Sequence, residues 1–273
     1  MNVVKKAVIP AAGYGTRMLP ASKAIPKELF PVGGKPVIQH IVEEAVSVGI
    51  QQVLIIISKG KEAIQSHFAR DQDLESRLEA KNKIDLLESI KQLSSLVQIE
   101  YVYQKEQKGL GDAILLAETW TNEQPFLVML GDTIINPISD TKSLIDFFDI
   151  HHSSLVKVRK VPTESVHRYG IMDGTYIPEI NAYEVHKWVE KPSIDDAPSN
   201  LAVSGRYIFT AEIFEYLKRT EKGVNDEIQL TDAMQSMLSV HKCYAQMLEG
   251  KRYDIGNWDE FLEANIDLIN KKI

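Results

Sequence analysis

Cysteine occurs once in this 273-residue sequence, as Cys243. No internal disulfide can form, and a reducing, cytoplasmic setting is expected. Long apolar runs are missing too: none approaches the roughly 18 residues of a membrane span. The N-terminus lacks the apolar stretch of a signal peptide, so neither a membrane nor secretion is expected. There is no basic excess. The formal net charge is −7, which speaks against broad nucleic-acid binding and requires any anionic ligand to be met by locally gathered cations. The seven histidines show no spacing such as His-x-x-x-His, and His151 and His152 are adjacent. No low-complexity linker and no internal repeat divides the chain. With 44% hydrophobic and 25% charged residues it reads as a single domain over residues 1–273.

What is present begins with residues 7–31, AVIPAAGYGTRMLPASKAIPKELFP. An apolar run, Ala7-Val8-Ile9, enters a loop with Ala11, Ala12, Gly13, Gly15 and Thr16, then Arg17; Lys27 and Glu28 follow Pro26. A strand ending in a glycine loop exposes several backbone N–H groups at one point, a cradle for phosphate. Arg17 and Lys27 can add positive charge there, and Pro20 and Pro26 restrain the backbone between them. The stretch reads as a triphosphate-binding loop. It is not a dinucleotide fingerprint, because Met18 stands where a third small residue belongs. No Gly-Lys-Ser/Thr follows, so it is not a Walker loop either. Taken singly, Arg17 could equally be a surface ion-pair partner and Lys27 an ordinary solvated lysine.

Hydrophobic periodicity predicts a buried strand at 4–10, a helix at 36–48 stopped by Gly49, and a strand at 52–57. Strand, helix, strand in this order makes a parallel pair with a right-handed crossover. Residues 61–95 read as two scaffold helices, the second long. A strand at 97–103 leads through Gln104 to Lys108-Gly109-Leu110-Gly111-Asp112-Ala113, which opens a helix to Trp120; a buried strand at 126–130 ends at Gly131-Asp132. A helix at 142–151 follows. Strands at 154–161, 168–172, 183–190 and 201–209 alternate more and suggest antiparallel additions. Helices at 211–219, 227–238 and 258–270 flank a strand at 242–248. The fold class is α/β, a mixed, mainly parallel sheet of Rossmann-like type.

Asp132, at the carboxyl end of a buried strand, is placed to hold Mg²⁺ on a triphosphate; a turn aspartate is the plainer reading. Asp254, in Tyr253-Asp254-Ile255-Gly256, is the candidate second carboxylate. Glu190-Lys191-Pro192 alone would be an ion pair at a strand edge. Gln104 alone would be an exposed polar residue after a strand.

Together these stretches resemble the signature of bacterial UTP–glucose-1-phosphate uridylyltransferases, within the wider sugar-nucleotidyltransferase family. The fingerprint appears as Ala11-Ala12-Gly13, Gly15-Thr16-Arg17 and Pro26-Lys27-Glu28. The resemblance runs from Ala7 to about Gly256 and weakens at 70–100. It implies a nucleotide-diphospho-sugar transferase, GT-A-like fold, and UTP and glucose 1-phosphate as substrates. It further implies Mg²⁺ on Asp132 and Asp254, and Arg17 and Lys27 on the triphosphate. Gln104 and Gly109 would meet the base, Lys191 the sugar phosphate and Glu190 a sugar hydroxyl, with Gly170, Gly205 and Arg206 in the sugar pocket. Asp226-Glu227-Ile228-Gln229-Leu230-Thr231-Asp232 matches a further family stretch but reads first as a structural helix start. A homodimer or homotetramer is expected. A sister enzyme using dTTP or another hexose phosphate, and a non-catalytic sensor of sugar nucleotides, are the alternatives.

Overall fold

The apolar runs at the start of the sequence become neighbouring parallel strands in a computed structural model that describes residues 3–270. Strand β1 (Lys6–Pro10) enters the glycine loop. A short hairpin, β2 (Pro31–Val32) and β3 (Lys35–Pro36), leads into α1 (Val37–Ser47), and β4 (Gln52–Ile57) returns beside β1. Three helices follow where two were expected: α2 (Glu62–Phe68), α3 (Gln72–Ala80) and α4 (Ile84–Leu93). The first break comes where Ala69 turns extended and Asp71 caps Leu74 N at 2.9 Å. The second lies at Asn82, whose φ of 52° is left-handed. An Asx cap and a left-handed Asn each stop one helix and permit the next.

Strand β5 (Gln98–Tyr103) precedes α5 (Leu110–Leu115) and α6 (Glu118–Thr121). The helix expected from Lys108 starts only after Gly109, whose φ of 101° lies outside helical space. Next come β6 (Phe126–Met129), β7 (Thr133–Asn136), α7 (Ser139–His151), β8 (Ser154–Lys160), β9 (Gly170–Ile177), β10 (Ala182–Glu190) and β11 (Leu201–Phe209). The chain closes with α8 (Ile213–Arg219), α9 (Leu230–Met237), β12 (Cys243–Met247), β13 (Lys251–Asp254) and α10 (Trp258–Asn270). Helix α9 begins three residues later than expected. Glu227 and Gln229 are extended there, and Ile228 between them donates to Lys108 O at 2.7 Å and accepts from Gly111 N at 2.9 Å.

Among the described residues, nine strands form one sheet in the order β5-β4-β1-β6-β11-β8-β12-β10-β9. β5, β4, β1 and β6 run parallel; β11 is antiparallel to β6, and later pairings are antiparallel except β8 with β12. Apolar clusters cover both faces, one under α1 and α7, the other under α5, α8 and α9. A separate ladder that the sequence reading missed pairs β7 with β13, setting Asp254 opposite Thr133. No helix among the described residues is long and apolar enough to cross a membrane.

Candidate active site

The site lies beyond the carboxyl ends of β1 and β6, where open α/β sheets bind ligands. Gly131 N donates to Pro10 O at 3.1 Å, and a Cβ on Gly131 would stand 2.8 Å from that oxygen. Only glycine allows the two strand ends to approach so closely. Asp132 is thereby brought beside the glycine loop.

Groups behind that loop hold its carbonyls. Ser58 Oγ donates to Ala12 O at 2.9 Å, and Lys61 Nζ donates to Ala11 O at 2.6 Å. Lys61 also donates to both carboxylate oxygens of Glu28, at 2.9 and 2.8 Å. With its carbonyls drawn backwards, the loop at Ala11, Ala12 and Gly13 forms the wall of a cavity. Burial pushes the Glu28 carboxyl up and the Lys61 ammonium down, despite their mutual attraction. Glu28 of Pro-Lys-Glu is thus a buried brace, 1% exposed. Lys61, which the sequence reading placed in scaffold, is its partner. Gly15 takes the left-handed φ of 67°, where a Cβ would stand 3.3 Å from Lys27 Cδ, before Thr16 and Arg17 turn into the site.

The four charges expected at the phosphates meet in pairs. Lys27 is ion-paired with Asp132, and Arg17 Nη1 lies 3.2 Å from Asp254 Oδ2. Burial opposes the Lys27 charge, but Asp132, Glu28 and Asp254 outweigh it and hold the ammonium above its usual range. Burial likewise opposes the Asp132 charge, yet Lys27, with Arg252 and Arg17, keeps that carboxyl well below the ordinary carboxylate value. Ile255 N donates to Asp132 O at 2.8 Å, so the loops carrying the two aspartates are tied together. Two hard oxygen donors on joined loops fit Mg²⁺, which takes one or two carboxylates and completes its shell with phosphate and water. No cluster of three or more His, Cys, Asp or Glu able to hold a metal occurs among the described residues, so substrate oxygens would supply the remaining ligands.

Two cavities meet here, both lined by Leu110, Leu130 and Asp132. The smaller, about 260 Å³, is walled by the glycine loop, Lys27, Gln104 and Gly109. Gln104 is buried, and its Nε2 donates to Asp112 Oδ2 at 2.8 Å and to Gly109 O at 3.2 Å. The larger, about 550 Å³, is lined by Thr16, Arg17, Gly170, Glu190, Lys191 and Asp254 among others. Lys191 has a φ of 44°, fixed by its N–H to Tyr169 O at 3.0 Å, and its Nζ lies 3.1 Å from Glu190 Oε1. A Cβ on Gly170 would stand 2.6 Å from Thr231 Oγ1, so glycine lets α9 close this wall. Gln229, Leu230 and Thr231 line the cavity as well. The helix start read first as structural is therefore part of the pocket.

Gly205 and Arg206 do not line it. Between Val203 and Tyr207 the pairing of β11 with β8 shifts register, and Gly205 takes a φ of 92°. The shift leaves Val203 and Tyr207 on the cavity. Arg206 is turned into the interior instead, fully buried against Glu44 with Nε–Oε1 at 2.8 Å and Nη2–Oε2 at 2.7 Å. The guanidinium on the cavity is Arg252, which the sequence reading missed two residues before Asp254. Its side chain is 6% exposed; Nε donates to Ser204 O at 3.2 Å, and Nη2 lies 3.9 Å from Asp254 Oδ2.

The family model described as nucleotidyl transferase matches residues 6–271. The UTP–glucose-1-phosphate uridylyltransferase of Bacillus subtilis is 46% identical over 268 residues, covering 98% of this chain and 91% of that protein. The enzyme of the same name from Staphylococcus epidermidis is 48% identical over 270 residues, covering 98% and 93%. Among solved structures, a UDP-glucose pyrophosphorylase complexed with UDP-glucose superposes with a TM-score of 0.88 at 39% identity, covering 98% of this chain and 99% of that one. A UTP-bound homologue from Acinetobacter baumannii superposes at 0.89 with 37% identity, covering 97% and 93%. With its mixed α/β sheet and its paired cavities at the strand ends, the chain belongs to the nucleotidyl transferase family.

Proposed function

We propose that this protein transfers the uridylyl group of UTP to α-D-glucose 1-phosphate, releasing UDP-glucose and pyrophosphate. The observation that carries the reading is the junction of the two cavities at Asp132, with Lys27 and the glycine loop on one side and Glu190 and Lys191 on the other. A cleft of this shape suits a nucleotide and a sugar phosphate bound end to end. The names of the relatives supply the substrates: they are UTP–glucose-1-phosphate uridylyltransferases at 46% and 48% identity.

An oxygen of the sugar phosphate attacks the α-phosphorus of UTP as the bond to the bridging oxygen of pyrophosphate breaks. The nucleophile is already an anion, so no protein base is needed and catalysis is positioning with charge neutralisation. Arg17 and Lys27 take the β- and γ-phosphates, and Lys191 the sugar phosphate. Glu190 accepts from a sugar hydroxyl, while Gln104 and Gly109 meet the base. Nucleotidyltransferases of this family generally use a divalent metal. Here Asp132 and Asp254 would hold Mg²⁺, which when bound neutralises charge on the triphosphate.

Pyrophosphate release measured across UTP, dTTP, CTP, ATP and GTP, each with glucose, galactose and mannose 1-phosphates, with and without Mg²⁺, tests this. The highest kcat/KM is expected for UTP with glucose 1-phosphate in the presence of Mg²⁺. Faster turnover of another pair, or none of any, overturns the reading.

A further inference from the structure

A glutamine amide can offer a base either its oxygen or its nitrogen, and the two ends make opposite choices among bases. An acceptor suits the N3–H of uracil. A donor suits the unprotonated N3 of cytosine. Something must therefore fix which end of Gln104 faces the ligand if the pocket is to select one base.

The surroundings of Gln104 do so. Its Nε2 carries two hydrogens, and both have acceptors within the protein: Asp112 Oδ2 at 2.8 Å and Gly109 O at 3.2 Å. No donor reaches Oε1 among the described residues, although Gln104 lines the smaller cavity and is nearly buried. The opposite orientation would set the amide oxygen against a carboxylate and a carbonyl together. Asp112 lies in the first turn of α5, where an aspartate ordinarily favours the helix dipole or caps a backbone N–H. Among the described residues its hydrogen bond goes to the Gln104 side chain instead. The backbone partner is fixed as well. Gly109 is held by the pairing of Ile228 with Lys108 and Gly111 on either side of it.

We infer that Asp112 is a positioning residue for base selection: it orients the Gln104 amide so that Oε1 faces the cavity as an acceptor, favouring bases with an N3–H over cytosine. The inference rests on the uridylyl-transfer reading only for the nucleotide involved, and it holds for any pyrimidine triphosphate bound in this cavity.

The test is the binding of UTP and of CTP by calorimetry in the presence of Mg²⁺, for the full-length protein and its variants, beside pyrophosphate release with glucose 1-phosphate. Asp112→Ala frees the amide to rotate. The preference for UTP over CTP should narrow roughly tenfold, the scale of losing one hydrogen bond to a charged group. Asp112→Asn, whose Oδ1 can still accept from Nε2, should restore most of the preference. In a Gln104→Ala background, Asp112→Ala should leave the UTP-to-CTP ratio unmoved, because the group it orients is gone. Equal loss of affinity for both nucleotides in Asp112→Ala, an unchanged ratio, or an effect undiminished in the Gln104→Ala background would each overturn the inference. A wild-type protein that binds UTP selectively but releases no pyrophosphate with glucose 1-phosphate would overturn the transfer reading and support the role of Asp112.

Discussion

Arg206 and Glu44, 162 positions apart, form a two-point ion pair inside the protein, with the arginine fully buried and the glutamate side chain 4% exposed. The pair ties β11 to α1. Arg206 Nη2 also donates to Thr133 O at 2.9 Å, next to Asp132. Removing one partner of such a pair leaves a buried charge uncompensated, which costs about 3–5 kcal/mol. Arg206→Met is therefore expected to lose stability on that scale in urea unfolding. The KM for the sugar phosphate should stay at the wild-type value in the folded protein. A selective rise in that KM with little loss of stability would return Arg206 to the binding site.

The ion pair of Lys27 with Asp132 predicts a pH dependence. The folded-state pKa of Asp132 is depressed, so between that value and about 4, where an unperturbed aspartate titrates, the unfolded chain binds more protons than the folded one. The contribution of the carboxylate to stability is then complete above this window and is lost as the pH falls through it. Lys27 is raised above 10.5 and stays charged throughout. The stability difference between wild type and Asp132→Asn should be flat from neutral pH down to about 5 and shrink below about 4. Chemical unfolding midpoints over that range measure it. A change confined to pH 6–8 would mean that another group carries the effect.

Asp132→Asn and Asp254→Asn should each lose most turnover while keeping the far-UV circular dichroism of the wild type. Each removes a charged oxygen donor proposed for Mg²⁺, and several kcal/mol of transition-state stabilisation depend on such charge. Near-normal pyrophosphate release by either variant at saturating Mg²⁺ would remove that residue from the metal site.

The residues legible in the sequence were those whose local motif dictates their direction. Gly15, Arg17 and Lys27 sit on one proline-restrained segment whose direction its own motif sets, although the partners of the two cations, Asp254 and Asp132, come from distant parts of the chain. Arg206 was misread because Ser204-Gly205-Arg206 does not reveal the register shift that turns its side chain inward. Lys61 was missed because its meaning depends on Glu28, 33 positions away, and on a carbonyl of the glycine loop. Strands β7 and β13 escaped notice for a similar reason. Each has four residues, and each is a strand only because the other pairs with it.

Lys191→Ala separates the two substrates. Lys191 lines the larger cavity, where its Nζ lies beside Glu190. The variant should weaken use of the sugar phosphate more than equilibrium binding of UTP. A larger loss of UTP affinity would reverse the assignment. The comparison needs kcat and KM for the sugar phosphate beside a UTP titration, since KM alone mixes binding with chemistry.

Direct displacement, without a covalent nucleotidyl-enzyme, is the last expectation. A covalent route needs a nucleophile freed of its proton, usually a lysine or histidine with a lowered pKa and an orienting partner. Lys27 is held above its usual range by Asp132 and is cationic at any physiological pH. Lys191 is paired with Glu190. Lys61 is the lysine near the loop that burial pushes down, but its Nζ donates to Ala11 O and to both Glu28 oxygens, and the residue itself lines neither cavity. His167 lies in the turn before Tyr169 and does not line the larger cavity. Both substrates must then be bound before any bond changes. Protein incubated with α-labelled UTP and Mg²⁺ but no sugar phosphate should carry no stable label and should not exchange pyrophosphate into UTP. Stable label on the chain, or rapid exchange under those conditions, would show that a protein group attacks the α-phosphorus first.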